Sequence, residues 1–260
     1  MHVYLAPHPD DAAFSCGAQI AERTGRGESV LIYTVMAGAP PAHLIPNPFI
    51  SEHHERWGLG LAGDQVVSAR RQEDAAAAAA LGAMIRYGET PEALYRADRE
   101  TGEGFYQDRA ALFGTPHPAE ADLPNELVAA FSAAISEPLT ALYAPLGVGG
   151  HVDHQLTRSL GLALALANPD LKMYFYEEYP YSRQERRVIL AALQAFAQPL
   201  MRITVAIRPE TLAAKIRASA CYHSQLSTFW ADEAALGEEL TAYHATTGGE
   251  VLWRLLRAED

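Results

Sequence analysis

Short runs of apolar residues alternate along the chain with longer, Ala-rich stretches in which apolar positions recur at helical spacing. The apolar runs predict five buried strands, which begin at Val3, Ser29, Ala141, Leu171 and Met201. The helical spacing predicts six helices, over residues 12–23, 67–81, 123–136, 153–166, 187–198 and 211–220. This alternation indicates an α/β fold, in which a mainly parallel sheet carries helices on both faces and so forms three layers.

Two segments, residues 37–63 and 89–118, break this rhythm with irregular sequence that is rich in proline, histidine or other polar residues. Ligands of such sheets lie beyond the carboxyl ends of the strands, and long loops inside a compact domain usually carry function. We therefore expect both segments to be loop insertions that form walls or lids over that edge. Since no repeat or linker divides the sequence, we expect one domain over residues 1–260.

The composition narrows the classes of partner and the cellular setting. Hydrophobic residues make up 49% of the chain and charged residues 20%, as in soluble globular proteins. The formal net charge of −12 repels phosphate backbones and anionic lipid, so we expect neither nucleic acid nor a membrane as partner. Cys16 and Cys221 cannot make a disulfide framework, and the N-terminus lacks the pattern of a signal peptide. We therefore expect a reduced, cytoplasmic setting.

The stretch YLAPHPDDAAFSCGA, residues 4–18, places a histidine and two aspartates between the first strand and the first helix. Pro9 disfavours helix at His8, so the helix begins close to Asp10 or Asp11, and either carboxylate can cap it. Capping explains one aspartate, but it explains neither His8 nor the second aspartate. The stretch therefore fits either an ordinary capped junction or a metal or catalytic site.

A second polar cluster lies in APLGVGGHVDHQLT, residues 144–157, which also follows a predicted strand and precedes a predicted helix. His151 and His154 are three residues apart, which places them on one face of a helix. Taken alone, the cluster also fits a glycine-rich turn with histidines that face solvent. Because both clusters follow strands of a mainly parallel sheet, we expect them at the edge where sites form.

The residue types of the two clusters suit hydrolysis at a metal. Imidazole and carboxylate groups are good ligands for Zn²⁺, and hydrolytic zinc sites use three protein ligands with one position open. A further carboxylate can take a proton from water, and a further histidine can stabilise an oxyanion or protonate a leaving nitrogen. Together the clusters contain enough groups for three ligands, one base and one acid.

At these residues the chain resembles the PIG-L/LmbE-like family of zinc-dependent N-acetylglucosaminyl deacetylases. The first family motif, His-Pro-Asp-Asp, matches residues 8–11, and the second, His-x-Asp-His, matches residues 151–154. Ala12 stands where the commonest form of the first motif has glutamate, so the chain looks like a branch with Asp-Asp-Ala. The resemblance implies a Rossmann-like fold of the LmbE type and a Zn²⁺ cofactor, with other divalent transition metals as alternatives.

The resemblance also implies a role for each motif residue. By resemblance, the metal ligands are His8, Asp11 and His154. Asp10 becomes the general base, His151 the acid or oxyanion stabiliser, and Asp153 the carboxylate that orients His151. Some family members carry an aromatic residue just before the second motif, where this chain has Gly149 and Gly150. An equivalent contact has to come from elsewhere, for example from a loop tyrosine.

The stretch RRQEDAAAAAALGA resembles a family helix that contains Arg-x-x-Glu and ends in Leu-Gly. The match makes Arg70 a candidate for binding a substrate hydroxyl. The alternative is a solvated helix with an ion pair between Arg70 and Glu73, and Arg71 with Asp74 is a rival match to the same pattern.

The function that follows is a hydrolase that removes acetyl from a small N-acetylated amino sugar or glycoconjugate. Two alternatives stay open: an amidase for another N-acyl substrate, such as a thiol conjugate or an acyl glycopeptide, and a non-catalytic sugar- or metal-binding protein. By resemblance a homo-oligomer is possible. Four loop histidines are expected in solvent, although His53 or His54 can line the pocket; they are His43, His53, His54 and His117.

Overall fold

Seven strands form one sheet, in the spatial order β3–β2–β1–β4–β5–β7–β6, in a computed structural model that describes residues 1–60, 62–183 and 186–256. The strands are β1 (His2–Ala6), β2 (Val30–Thr34), β3 (Met84–Tyr87), β4 (Ala141–Pro145), β5 (Lys172–Tyr176), β6 (Leu200–Val205) and β7 (Glu250–Leu255). β1 to β5 pair in parallel, and β7 lies antiparallel between β5 and β6. The predicted mainly parallel sheet is therefore confirmed.

The helices are α1 (Asp11–Gly25), α2 (Pro48–Arg56), α3 (Gly63–Ala80), α4 (Arg109–Leu112), α5 (Leu123–Ala134), α6 (Val152–Ala167), α7 (Arg186–Leu193), α8 (Pro209–Ala220), α9 (His223–Phe229) and α10 (Glu233–Thr247). All six predicted helices are present, and the fifth is shorter than predicted because the residues before Pro199 form turns. The sequence patterns missed β3, β7, α2, α4, α9 and α10. Among the described residues, no helix is long and apolar enough to cross a membrane.

The core consists of two apolar layers, one on each face of the sheet. Tyr4 and Ala6 of β1 face a cluster that includes residues of α1, α3 and α8 to α10. Val3 and Leu5, which alternate with them, face a cluster that includes residues of α5, α6 and α7. Because successive side chains of a strand point to opposite faces, the apolar stretch of β1 after His2 contributes to both clusters. The three-layer arrangement with helices on both faces is confirmed.

The site lies where the carboxyl ends of β1, β4 and β5 meet. β1 pairs in parallel with β4, and β4 with β5, so the segments after these strands emerge at one edge. The segment 37–63 is not wholly irregular, since it contains α2, and the segment 89–118 contains α4 and a short 3₁₀ turn, Ala93–Tyr95. Side chains from both segments line a cavity at this edge.

Candidate active site

The junction between β1 and α1 presents His8, Asp10 and Asp11. The backbone N–H of His8 donates to Oδ2 of Asp11 at 2.9 Å. Asp10 occupies the N-cap position of α1, but its side chain makes no capping hydrogen bond, so the capped-junction alternative does not account for it. Its φ of 120° makes it the one non-glycine residue with positive φ in the described ranges. Backbone strain of this kind is concentrated at functional sites, where surrounding structure maintains it.

The junction between β4 and α6 presents His151 and His154. His151 is the N-cap residue of α6, and its Nδ1 accepts the backbone N–H of Asp153 at 3.2 Å. His154 follows in the first turn of the helix. The turn before them depends on Gly147, whose φ of 89° is a conformation that side-chain-bearing residues rarely adopt.

His8, Asp11 and His154 form a group that can hold a metal ion, since one ligand atom from each lies within 4.8 Å of the others. The two carboxylate oxygens of Asp11 lie 3.4 Å from Nδ1 of His8 and 3.5 Å from Nε2 of His154. That Nε2 atom is buried and has no hydrogen-bond partner in the part of the chain that the structure describes. A buried nitrogen without a partner is costly unless a ligand binds it, and two imidazoles with a carboxylate suit Zn²⁺.

Glu178, which follows β5, holds His154 in the orientation that a metal ligand needs. Nδ1 of His154 donates to the fully buried carboxylate of Glu178 at 3.1 Å, which leaves the Nε2 lone pair facing Asp11. The same carboxylate accepts the backbone N–H groups of Gly147 at 2.6 Å and Val148 at 3.1 Å. Metal-bound histidines commonly donate their other ring N–H to a carboxylate in this way. The sequence analysis did not identify Glu178, although a carboxylate directly after a strand of a parallel sheet lies at the edge where sites form.

Asp153 contacts a different histidine from the one predicted. Its Oδ2 accepts Nε2–H of His8 and the backbone N–H of Ala93, each at 2.8 Å, and its Oδ1 accepts Nη1–H of Arg96 at 2.5 Å. Only its backbone N–H reaches His151. The predicted orientation of His151 by this carboxylate is therefore not what the contacts show. The difference arises because Arg96, in the segment 89–118, binds Asp153 beside His8.

A second group of possible ligands, His8, His151 and Asp153, overlaps the first. The carboxylate of Asp153 already accepts three hydrogen bonds, whereas Nε2 of His154 accepts none within the described ranges. The group that contains Asp11 and His154 is therefore the better metal site.

Protonation in the metal-free state is set by contacts inside the group. Burial lowers the pKa of His8, but hydrogen bonds to Asp11 and Asp153 outweigh it and raise the pKa to about 10. Burial raises the pKa of Asp11, but the electrostatic effect of the neighbouring His154 imidazole and the hydrogen bonds from His8 outweigh burial and lower the pKa to about 2. Because imidazole must lose its proton to bind a metal, the binding of an ion displaces a proton from His8.

Asp10 and His151 are shifted in the directions that suit a base and a neutral donor. Burial raises the pKa of Asp10 well above its usual range; the Asp11 carboxylate adds to the shift, and the Arg70 guanidinium opposes it. Burial lowers the pKa of His151 well below its usual range, and the charge of His8 adds to this. Since Nδ1 of His151 accepts a hydrogen bond, the neutral ring carries its proton on Nε2 and is a hydrogen-bond donor there.

The cavity above this group has a volume of about 240 Å³. His53, Arg56 and Trp57 line it from the first long segment, and Arg109 and Phe113 are among those that line it from the second.

A tyrosine lines the cavity beside the glycines that precede the second motif. Tyr181 packs against Gly149, with a ring atom 3.3 Å from the position that a Cβ would occupy there. The ring of Tyr181 also lies edge-on to His154, with 5.6 Å between the ring centroids. A tyrosine that follows β5 therefore lies beside the two glycines that precede the second motif.

Arg70 lines the cavity instead of pairing along its own helix. Its Nη1 donates to Glu92 at 2.8 Å, and its guanidinium carbon lies 4.4 Å from the centroid of the Trp57 ring. Its Nε is buried without a hydrogen-bond partner within the described part of the chain. The alternative ion pair with Glu73 is wrong, because the Glu73 carboxylate accepts hydrogen bonds from Ser224.

The rival match, Arg71 with Asp74, does not form an ion pair. Arg71 pairs with Glu89 at 3.3 Å near the surface. Buried Asp74 accepts hydrogen bonds from Thr34 at 2.7 Å and Tyr222 at 2.6 Å.

Of the four loop histidines, His43 is exposed, as expected, and His53 lines the cavity. The prediction that His54 lies in solvent is wrong, since His54 is buried and its Nε2 is 2.7 Å from the hydroxyl of Tyr95. His117 is half-buried and its ring stacks on Phe105 at 4.4 Å.

A family model described as PIG-L, GlcNAc-PI de-N-acetylase, matches residues 3–165, more than half of the chain, including both motifs. The chain belongs to the PIG-L family. It is similar to 2'-N-acetylparomamine deacetylases of Niallia circulans (28% identity, covering 72% of this chain and 70% of the relative) and Streptomyces fradiae (29%, covering 96% and 79%). Among solved PIG-L structures, it is similar to the zinc-inhibited form of teicoplanin deacetylase Orf2, with a TM-score of 0.82 and 27% identity, covering 100% of this chain and 99% of that one.

Proposed function

We propose that this protein is a zinc-dependent N-deacetylase that removes acetyl from an N-acetylated amino sugar or glycoconjugate. One observation carries the proposal: the unpartnered Nε2 of His154 faces Asp11 beside His8, and a cavity lined by His8, Asp10 and Asp11 adjoins this group. The relatives support the reaction class, since those named above are deacetylases of acetylparomamine and of teicoplanin.

His8, Asp11 and His154 would hold the ion, which supplies Lewis-acid activation of water and of the amide carbonyl. Glu178 and Asp153 hold the two ligand imidazoles by their outward ring nitrogens, so that each presents its other nitrogen to Asp11. The ligand types favour Zn²⁺, and other divalent transition metals fit the same donors.

Asp10 acts as the general base that takes a proton from the attacking water. Its raised pKa makes its carboxylate a stronger base than an exposed aspartate. His151 donates a hydrogen bond from Nε2 to the amide oxygen as negative charge develops there. The proton held on Asp10 then passes to the leaving nitrogen, so that water has added across the C–N bond to give acetate and an amine.

Arg70 and Trp57 position the sugar in this proposal. The free Nε of Arg70 is a donor for a sugar hydroxyl, and its ion pair with Glu92 keeps the guanidinium in place. Trp57 offers an aromatic face on the cavity wall.

Release of acetate from a set of N-acyl glucosamines with acyl chains of increasing length tests the proposal. We expect the acetyl compounds to be cleaved fastest, and His154→Ala to release no acetate. A marked preference for long acyl chains would favour an amidase of another kind. A metal-loaded protein that cleaves none of the compounds would contradict the proposal.

A further inference from the structure

The exposed charged side chains at the mouth of the catalytic cavity are arginines, although the chain as a whole is acidic. Acidic residues outnumber Lys and Arg by 32 to 20. The acidic residues that line the cavity are all buried; they are Asp10, Asp11, Glu92 and Asp153. The exposed charged residues of its lining are all arginines; they are Arg56, Arg109 and Arg183.

A second depression, of about 420 Å³, adjoins the cavity between α2 and α4. The two share part of their lining; the shared residues are His53, Arg56, Arg109, Leu112 and Phe113. Pockets for drug-sized ligands measure about 300–1,000 Å³, so the catalytic cavity of 240 Å³ suits one sugar unit. The adjoining depression, which shares part of this lining, offers space for a group joined to the sugar.

Arg109 is the only exposed arginine of the two linings that has no ion-pair partner among the described residues, since Arg183 pairs with Glu239. Arg56 pairs with Glu52 at 2.9 Å, and the Asp108 carboxylate accepts the backbone N–H of Ala111 at the start of α4. Arg109 makes no ion pair within the described ranges; its guanidinium carbon instead lies 4.7 Å from the centroid of the Phe113 ring.

Phe113 links this guanidinium to the catalytic group. The Phe113 ring lies edge-on to His151, with 5.2 Å between the centroids. Arg109 is thus one aromatic ring away from the imidazole that faces the amide. The Arg56–Glu52 pair is exposed, and exposed ion pairs contribute little to stability, so Arg56 can turn to a ligand at low cost.

We propose that the depression between α2 and α4 binds the group joined to the N-acetylated sugar, and that Arg109, assisted by Arg56, pairs with a carboxylate or phosphate on that group. The assignment rests on the proposed deacetylation, and it adds that preferred substrates are anionic conjugates. Arginine suits this role, because its planar fork matches both anions with two parallel hydrogen bonds.

Calorimetric binding of product-like sugars tests the proposal without requiring turnover. The probes are methyl glucosaminide, which lacks an anion, glucosamine 1-phosphate and the carboxymethyl glycoside of glucosamine. Each is titrated into the wild-type protein, Arg109→Gln and Arg99→Gln, in which an exposed arginine of the same segment, outside both cavities, is changed. The two anionic probes distinguish a phosphate from a carboxylate as the preferred partner.

We expect at least one anionic probe to bind wild type and Arg99→Gln about tenfold or more tighter than the neutral probe, since charged hydrogen bonds are worth this much. Arg109→Gln should bring the ratio close to one, and high salt should reduce it. Equal binding of neutral and anionic probes, or a ratio that Arg109→Gln leaves unchanged, would overturn the proposal.

Acetate release from the acetylated forms of the same probes separates this proposal from the proposed function. If neutral and anionic sugars are deacetylated at equal kcat/KM and bind equally, deacetylation stands and the role of Arg109 falls. If no probe is deacetylated, the proposed function falls, and the binding ratio still decides the role of Arg109. 2'-N-acetylparomamine, which is a cation at neutral pH, should be a poorer substrate than the neutral sugar.

Discussion

Glu178→Gln tests most sharply whether Glu178 orients His154 as a metal ligand or only contributes to the packing of the site. Glu178 is fully buried, and its carboxylate accepts hydrogen bonds from His154 Nδ1 and from the backbone of Gly147 and Val148. Alanine would leave all three donors buried and unpaired, at about 1–3 kcal/mol each, and would risk unfolding the protein. Glutamine keeps the size and one acceptor oxygen but removes the negative charge behind His154.

The expected loss can be worked out from this contact. Removal of the carboxylate partner of a metal-bound histidine typically costs about 10–100-fold in metal affinity, or about 1.4–2.7 kcal/mol. At saturating metal, the stabilisation that metal gives the folded state falls by the same amount. For a chain of this size, this corresponds to a metal-induced rise in Tm that is smaller by about 3–11 °C.

The assay combines zinc affinity, from competition with a chelator, and thermal unfolding with and without zinc. The matched control is Glu177→Gln, because Glu177 is the adjacent buried carboxylate and accepts Nε1–H of Trp253 at 2.9 Å, away from His154. We expect the control to bind zinc as the wild type does. Wild-type zinc affinity in Glu178→Gln, or an equal loss in both variants, would refute the reasoning.

Three further predictions concern the base, its electrostatic neighbour and the core. Asp10→Asn should lower kcat by about 10²–10⁴-fold while metal content by elemental analysis is unchanged, and loss of the metal would speak against its role as base. The Arg70 guanidinium lowers the pKa of Asp10, so Arg70→Gln should raise that pKa and move the acid limb of the pH dependence of kcat/KM to higher pH. An acid limb that does not move would exclude electrostatic coupling between Arg70 and Asp10. Lys215→Met should lower the free energy of unfolding of the metal-free protein, measured in urea, by about 3–5 kcal/mol. The reason is that the buried Glu250 carboxylate, which lies 2.8 Å from Lys215 Nζ, loses its cation. Adding Glu250→Gln should recover part of this loss, and a loss below about 1 kcal/mol would be inconsistent with a buried pair.

The sequence was sufficient to predict that the two motifs lie close together, because this prediction depends on two facts that the sequence contains. β1 and β4 are apolar runs in a parallel sheet, and polar clusters follow both. Residues after neighbouring parallel strands emerge at one edge, so His8, Asp11 and His154 had to lie near one another if β1 and β4 were neighbours. That adjacency is a property of the sheet order, and the family resemblance supplied it before the structure did.

The contacts that hold the ligands could not be predicted in the same way. Glu178 reaches His154 from the end of a third strand, and Arg96 reaches Asp153 from an irregular segment whose path no periodicity defines. Which histidine Asp153 contacts depends on where Ala93 and Arg96 lie, because both bind the same carboxylate, and residue types do not fix those positions. β7 escaped prediction because its apolar run, residues 251–253, is short, lies between Glu250 and Arg254, and follows two glycines.

The central claim is tested most directly by zinc titration of the chelator-stripped protein, with acetate release from an N-acetylated amino sugar as the readout. We predict that the stripped protein is inactive and that activity rises to a plateau at one equivalent of zinc per chain. Full acetate release from the stripped protein would contradict the account, and so would His154→Ala protein that regains activity at one equivalent.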